Sequence, residues 1–181
     1  MSTYIAFLRA INVANRYVKK EALRQPFVAL GFENVQTYIQ SGNVIFETAA
    51  PETAALEQQI EAKLAEALGF EVPTMVRTAA ELQAIAASEP FPAASYGEKS
   101  VLYVTFLKAE PADEQWQTLR GRADEIDEYY LQERELFWLN HKHMGDSKMS
   151  NGKIEKLLKQ AGTRRNISTV NIIVQLYLTT E

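Results

Sequence analysis

Apolar positions along the chain change period repeatedly. Thr3 to Arg9 follow the two-residue rhythm of a strand, and Asn12 to Val18 read as a loop. Lys20 to Leu30 carry Leu23, Phe27 and Leu30 at helical spacing before Gly31. Pro26 inside that run removes a backbone donor, which predicts a kink or a delayed start. Val35 to Gln40 and Asn43 to Thr48 read as a hairpin, and Pro51 opens a helix through Leu56, Ile60, Leu64 and Leu68 to Gly69. Val72 to Arg77 form a short strand. Thr78 and Glu81 then have the spacing of a capping box for a helix reaching about Ser88. The order is β-α-β-β-α-β, the split βαβ or ferredoxin-like pattern.

Residues 88–100, "SEPFPAASYGEKS", break the periodicity with two prolines and a glycine. After them the pattern restarts: a strand at Val101 to Leu107, a helix at Pro111 to Arg122, strands at Ile126 to Leu131 and Leu136 to Leu139. Helices follow at Met149 to Gln160 and Asn166 to Leu178. The residues echo as well as the order. "YIAFLRA" matches "YVTFLKA", "YIQSGNVIF" lines up with "YLQERELFW", and "IEAKLAEALG" matches "IEKLLKQAG". These echoes predict an α+β protein of two tandem ferredoxin-like repeats, 1–90 and 99–181, joined by a linker at 91–98. Each half is only marginally large for independent stability, so the halves are expected to pack as one unit.

Pairing the first hairpin across Ser41-Gly42 sets Ile39 opposite Val44, Thr37 opposite Phe46 and Val35 opposite Thr48. That face is expected to meet the helices. Gln36, Tyr38, Gln40, Asn43, Ile45 and Glu47 then line an open side, a mixed face that could pack, bind a ligand or form a dimer. The second repeat turns the equivalent corner with Glu133-Arg134-Glu135, so the scaffold does not demand Ser-Gly-Asn.

Composition narrows the chemistry. Hydrophobic residues make up 46% and charged residues 23%, in the globular range. No apolar run has the length of a membrane span, and the N-terminus lacks a signal-peptide pattern, so the reading is cytoplasmic. The absence of cysteine excludes thiolate metal sites, iron–sulfur clusters and cysteine nucleophiles. A net charge of −4 tells against nucleic acid as a partner of the whole surface, though a local basic patch could act. Arg16, Lys19, Lys20 and Arg24 form one such cluster. His141, His143 and Asp146 invite a metal reading, but two histidines make a solvated loop the better one, and neither a metal nor a cofactor is expected.

The blocks "YIAFLRAINV", "LGFENVQTYIQSGNVIF", "SKMSNGKIEKLL" and "TRRNISTV" together resemble the DUF1697 family, bacterial proteins without an established activity. The resemblance implies a soluble α+β protein. Ala10, Ala14 and Asn15 stand where the family has glycines, and Asp146 where it has arginine. The polar positions that match are Arg9, Asn12, Gln40, Ser41, Asn43, Ser147, Lys148, Arg165 and Asn166. They are the candidate ligand-binding residues, for a small anionic or nucleotide-like ligand held between the repeats. An enzyme of unspecified reaction and an interaction or dimerisation module are the alternatives. No catalytic residue and no oligomeric state follow from the sequence.

Overall fold

The computed structural model describes residues 1–11, 17–38, 42–50 and 52–178. The chain forms two four-stranded antiparallel sheets, each dressed with helices in a βαββαβ order followed by one more helix. The first half contains β1 (Ser2–Leu8), α1 (Lys20–Ala29), β2 (Glu33–Tyr38), β3 (Asn43–Thr48), α2 (Thr53–Leu68), β4 (Thr74–Thr78) and α3 (Ala79–Ala86). The second contains β5 (Val101–Leu107), α4 (Asp113–Arg120), β6 (Asp127–Gln132), β7 (Glu135–Asn140), α5 (Asn151–Leu158), β8 (Gly162–Asn166) and α6 (Ile167–Tyr177). Strand order is β2-β3-β1-β4 in one sheet and β6-β7-β5-β8 in the other, the same topology twice. The chain is an α+β fold with two similar halves.

Contacts group the chain into two compact units, Met1–Ala84 with the segment from Ile172 onward, and Ile85–Asn171. Residues 88–100 thus belong to the second unit. The last turns of α6 count with the first, where the Tyr177 ring meets Tyr38 edge-on and Gln83 Nε2 donates to the Leu178 carbonyl.

In the first unit, alternation sends Tyr4, Ala6 and Leu8 of β1 towards the helices, where they join Val44, Phe46, Leu56, Ile60 and Leu64 in one core. Phe46 lies among Tyr4, Phe27 and Phe32 as the centre of an aromatic cluster. Pro26 sits inside α1, which begins at Lys20 without delay. The opposite face, expected to be open, is buried along its central strands, where Ile5, Phe7, Asn43, Ile45, Met75 and Arg77 are all at most 3% exposed, while on the same face Gln36 is exposed and Tyr38 and Glu47 are half-buried. In the second unit Leu107, Leu119, Leu136, Trp138, Ile154 and Leu158 make the equivalent core.

The first hairpin corrects the expected register. Thr37 pairs with Val44 and Tyr38 with Asn43, a register two residues away from the expected one. Sliding a strand by two residues leaves every side chain on its own face, and the face assignment of Thr37, Val44 and Phe46 therefore stands. Ile39 lies outside the described residues. A second correction is β8, absent from the sequence reading. Residues 162–166 pair with β5 from Leu107↔Gly162 to Tyr103↔Asn166, and α6 begins only at Ile167.

β4 and β8 are edge strands, whose outward N–H groups need partners. The helix alongside supplies them. Glu57 and Glu61 of α2 accept from the Val76 and Thr74 amides at 2.8 Å, and Glu155 of α5 accepts from the Gly162 amide at 2.8 Å. Glu61 and Glu155 thus occupy equivalent positions, an offset of 94 that also matches Ile60 with Ile154. Glu57 then corresponds to Asn151, whose Nδ2 donates to the Gly162 carbonyl.

Candidate functional site

The second unit gathers its polar chemistry around the first residue of β6. Asp127, 2% exposed, has three side-chain donors. Its Oδ1 accepts from Trp138 Nε1 at 2.8 Å and Asn140 Nδ2 at 2.9 Å, and its Oδ2 from the Ser147 hydroxyl at 2.5 Å. A buried carboxylate is tolerable only with such full pairing. Ser147 Oγ in turn accepts from the Met149 amide, which fixes the loop entering α5. Ser150, not Ser147, caps that helix through the Lys153 amide.

Above this network lies a cavity of about 460 Å³. Four cations line it: Arg122 beyond α4, Lys148 before α5, and Lys153 and Lys156 on α5. The carboxylates of Asp124 and Asp127 and the apolar side chains of Met149 and Leu157 complete it, so cations outnumber carboxylates four to two. Lys153 Nζ donates to the Lys148 carbonyl at 2.5 Å, tying the helix to the loop. Asp124 Oδ1 accepts from the Ile126 and Asp127 amides. These bonds, with the nearby Lys148 and Lys142 charges, hold its carboxyl below the usual value. Beneath, the Tyr129 hydroxyl is buried without a hydrogen-bond partner among the described residues. Burial, then the Asp127 and Asp124 charges, push its pKa upward.

The sequence candidates fall into separate groups. Arg9 follows β1, its amide bonded to the Pro73 carbonyl, and Asn43 begins β3, so both stand at the same end of the first sheet. Asn43 is fully buried, and its Nδ2 donates to the Tyr38 carbonyl across the hairpin mouth. Asn12, Gln40 and Ser41 lie outside the described residues. Ser147 and Lys148 belong to the cleft described above. Arg165 is buried, donating from Nη1 to Thr163 Oγ1 and the Arg164 carbonyl, and burial pushes its pKa down to about 10, leaving it cationic at neutral pH. Asn166 caps α6, its Oδ1 accepting from the Ser168 amide and hydroxyl. Ser147, through Asp127, and Asn166 sit at the end of the second sheet where β5 begins. The end equivalent to that of Arg9 and Asn43 is the other one.

Sequence reasoning missed Arg122, Asp124, Asp127, Lys153 and Lys156. The internal repeat carried a signal for two of them. At the offset of 94, Lys153 aligns with Gln59 and Lys156 with Ala62 of α2. The scaffold folds without those cations.

A family model, a protein of unknown function (DUF1697), matches residues 1–137. The chain belongs to the DUF1697 family. The matched span covers the first sheet with its helices and the second sheet as far as Phe137, and Ser147, Lys148, Arg165 and Asn166 lie beyond it. The fold is similar to that of a conserved bacterial protein from Streptococcus pneumoniae. That structure is 25% identical, with a TM-score of 0.76 over 99% of each chain. No curated protein matches the chain. No helix among the described residues is long and apolar enough to cross a membrane.

Proposed function

We propose that this DUF1697 protein binds a small phosphorylated metabolite, a nucleotide or sugar phosphate, in the cleft between Asp127 and α5. The observation that supports this most is the convergence of Arg122, Lys148, Lys153 and Lys156 on one cavity whose size suits a small ligand. Lysines and an arginine recognise phosphate oxygens, the Asp124 carboxylate accepts a hydroxyl or amine from the same molecule, and Met149 and Leu157 offer an apolar surface to a base or carbon chain. The reading keeps Ser147 and Lys148 from the sequence candidates and moves the ligand from a position between the repeats into the second unit. A dimer formed through the Asn43 and Ile45 face is disfavoured, because both side chains are buried within the chain.

Thermal-shift measurements with inorganic phosphate, pyrophosphate, nucleotides and sugar phosphates test the proposal. A ligand at a hundred times its Kd stabilises the fold by about 2.7 kcal/mol. The shift should shrink in salt and in a Lys148→Ala/Lys153→Ala double variant. If no phosphorylated compound shifts the transition, or if the double variant responds as the parent does, the proposal fails.

A further inference from the structure

Outside the cleft, three side chains from three sequence segments form a hydrogen-bonded chain. His141, just after β7, presents Nε2 to Glu128 Oε1 of β6 at 2.6 Å and Nδ1 to Ser100 Oγ, just before β5, at 3.1 Å. A carboxylate at Nε2 selects, for the neutral ring, the tautomer in which Nε2 carries the proton and Nδ1 accepts from Ser100. The Gly97 amide donates to Ser100 Oγ at 2.9 Å, and the hydroxyl proton can then be given to Nδ1. In that tautomer each bond points the way a nucleophile, a base and an orienting acid require.

We propose that Ser100 is a nucleophile activated by His141, with Glu128 as its positioning residue, and that it takes acyl groups from small activated esters. As Oγ attacks the acyl carbon, the hydroxyl proton passes to His141 Nδ1 while Nε2–H stays bonded to Glu128. Collapse of the tetrahedral species breaks the bond to the leaving alkoxide, which collects the proton from Nδ1. Water, deprotonated by the same nitrogen, then cleaves the acyl-serine to a free acid and restores Ser100. The carboxylate holds the tautomer and stabilises the imidazolium that forms in both halves. Glu128 and His141 are partly solvent-accessible, with side chains 42% and 21% exposed, so an ester can reach the pair. A recess of about 340 Å³ lined by Ser88, Glu89, Phe91, Ala93 and Tyr96 lies in the segment that precedes Ser100 in sequence and offers two aromatic rings to a short acyl or aryl group.

The full chain is incubated with p-nitrophenyl acetate, and release of p-nitrophenol is followed beside peptide mapping of the acetylated protein. Acetyl-Ser100 is expected in the parent. Formation of that species should slow at least tenfold in His141→Gln and less in Glu128→Gln, and p-nitrophenol release in Ser100→Ala should fall to the slow rate of amine acetylation. Acetylation confined to lysines or the N-terminus of the parent overturns the proposal without recourse to any variant. An unchanged rate of Ser100 acetylation in His141→Gln overturns it equally.

Discussion

The two hairpins turn the same corner of the same topology with different means. Between β6 and β7 the closing pair is Gln132 and Glu135, with two residues between them and Glu133 in the left-handed region at φ 52°. Between β2 and β3 four residues intervene and Gly42 takes φ 73°. Both corners return the same bond to the neighbouring strand, Leu8 amide to Gly42 carbonyl and Leu107 amide to Arg134 carbonyl. Yet Gly42 leaves no room for a side chain. An added Cβ would lie 2.9 Å from Leu8 Cβ and 3.2 Å from Ile11 Cβ. The polarity of Gln-Ser-Gly-Asn thus divides. Gly42 and Asn43 are accounted for by close approach and by the bond to Tyr38, and that much of the motif is architecture.

The largest effect should come from closing this difference. Gly42→Ala combines left-handed strain with overpacking and is expected to cost about 3 kcal/mol, whereas Arg134→Ala should cost about 0.5 kcal/mol. Urea denaturation of both reads the contrast, and equal costs would break it. Next come the helix side chains that serve the edge strands. Glu57 lies 4.0 Å from Arg77 with both side chains buried, so Glu57→Gln should cost about 3 kcal/mol by weakening the charge balance around Arg77. Its counterpart Asn151→Ala removes one neutral hydrogen bond and should cost about 1 kcal/mol, measured the same way.

A smaller effect separates the two helices as binding surfaces. Lys153→Gln with Lys156→Ala gives α5 the residues of α2 and should weaken binding of a phosphorylated ligand about tenfold, roughly 1.4 kcal/mol, with little change in melting temperature. Isothermal titration calorimetry checks it. The mildest is a pH effect. Asp124 has a folded pKa below its ordinary 3.8, so the stability it contributes is present above that value and is lost as pH falls through the folded pKa. Asp124→Asn should flatten that part of an acid denaturation curve.

These contrasts also show what the sequence could carry. β5 has the ends that alternation predicts, and the Thr78–Glu81 capping box forms both of its bonds. The duplication was legible because its echoes lie in buried residues. The hairpin register was not, since a slip of two conserves the hydrophobic pattern on which the prediction rested. β8 was missed because "GTRRN" has no apolar alternation. Its Gly162 is needed for close packing on Thr105 and Leu107, and Arg164 lays its guanidinium against the Tyr103 and Trp138 rings at 4.9 Å. The cleft was half legible: Ser147 and Lys148 stand together in the chain, but Arg122, Asp124 and Asp127 arrive from another loop and strand.

The carboxylates beside β4 and β8 have a consequence for how these molecules behave in company. A strand from a neighbouring chain can extend a sheet only if the edge still has amides to offer, and here Glu57, Glu61 and Glu155 already hold three of them. Each sheet is hindered from growing at that border. Crowded copies of the protein meet there an edge with part of its donors already engaged, a poorer template for cross-β assembly.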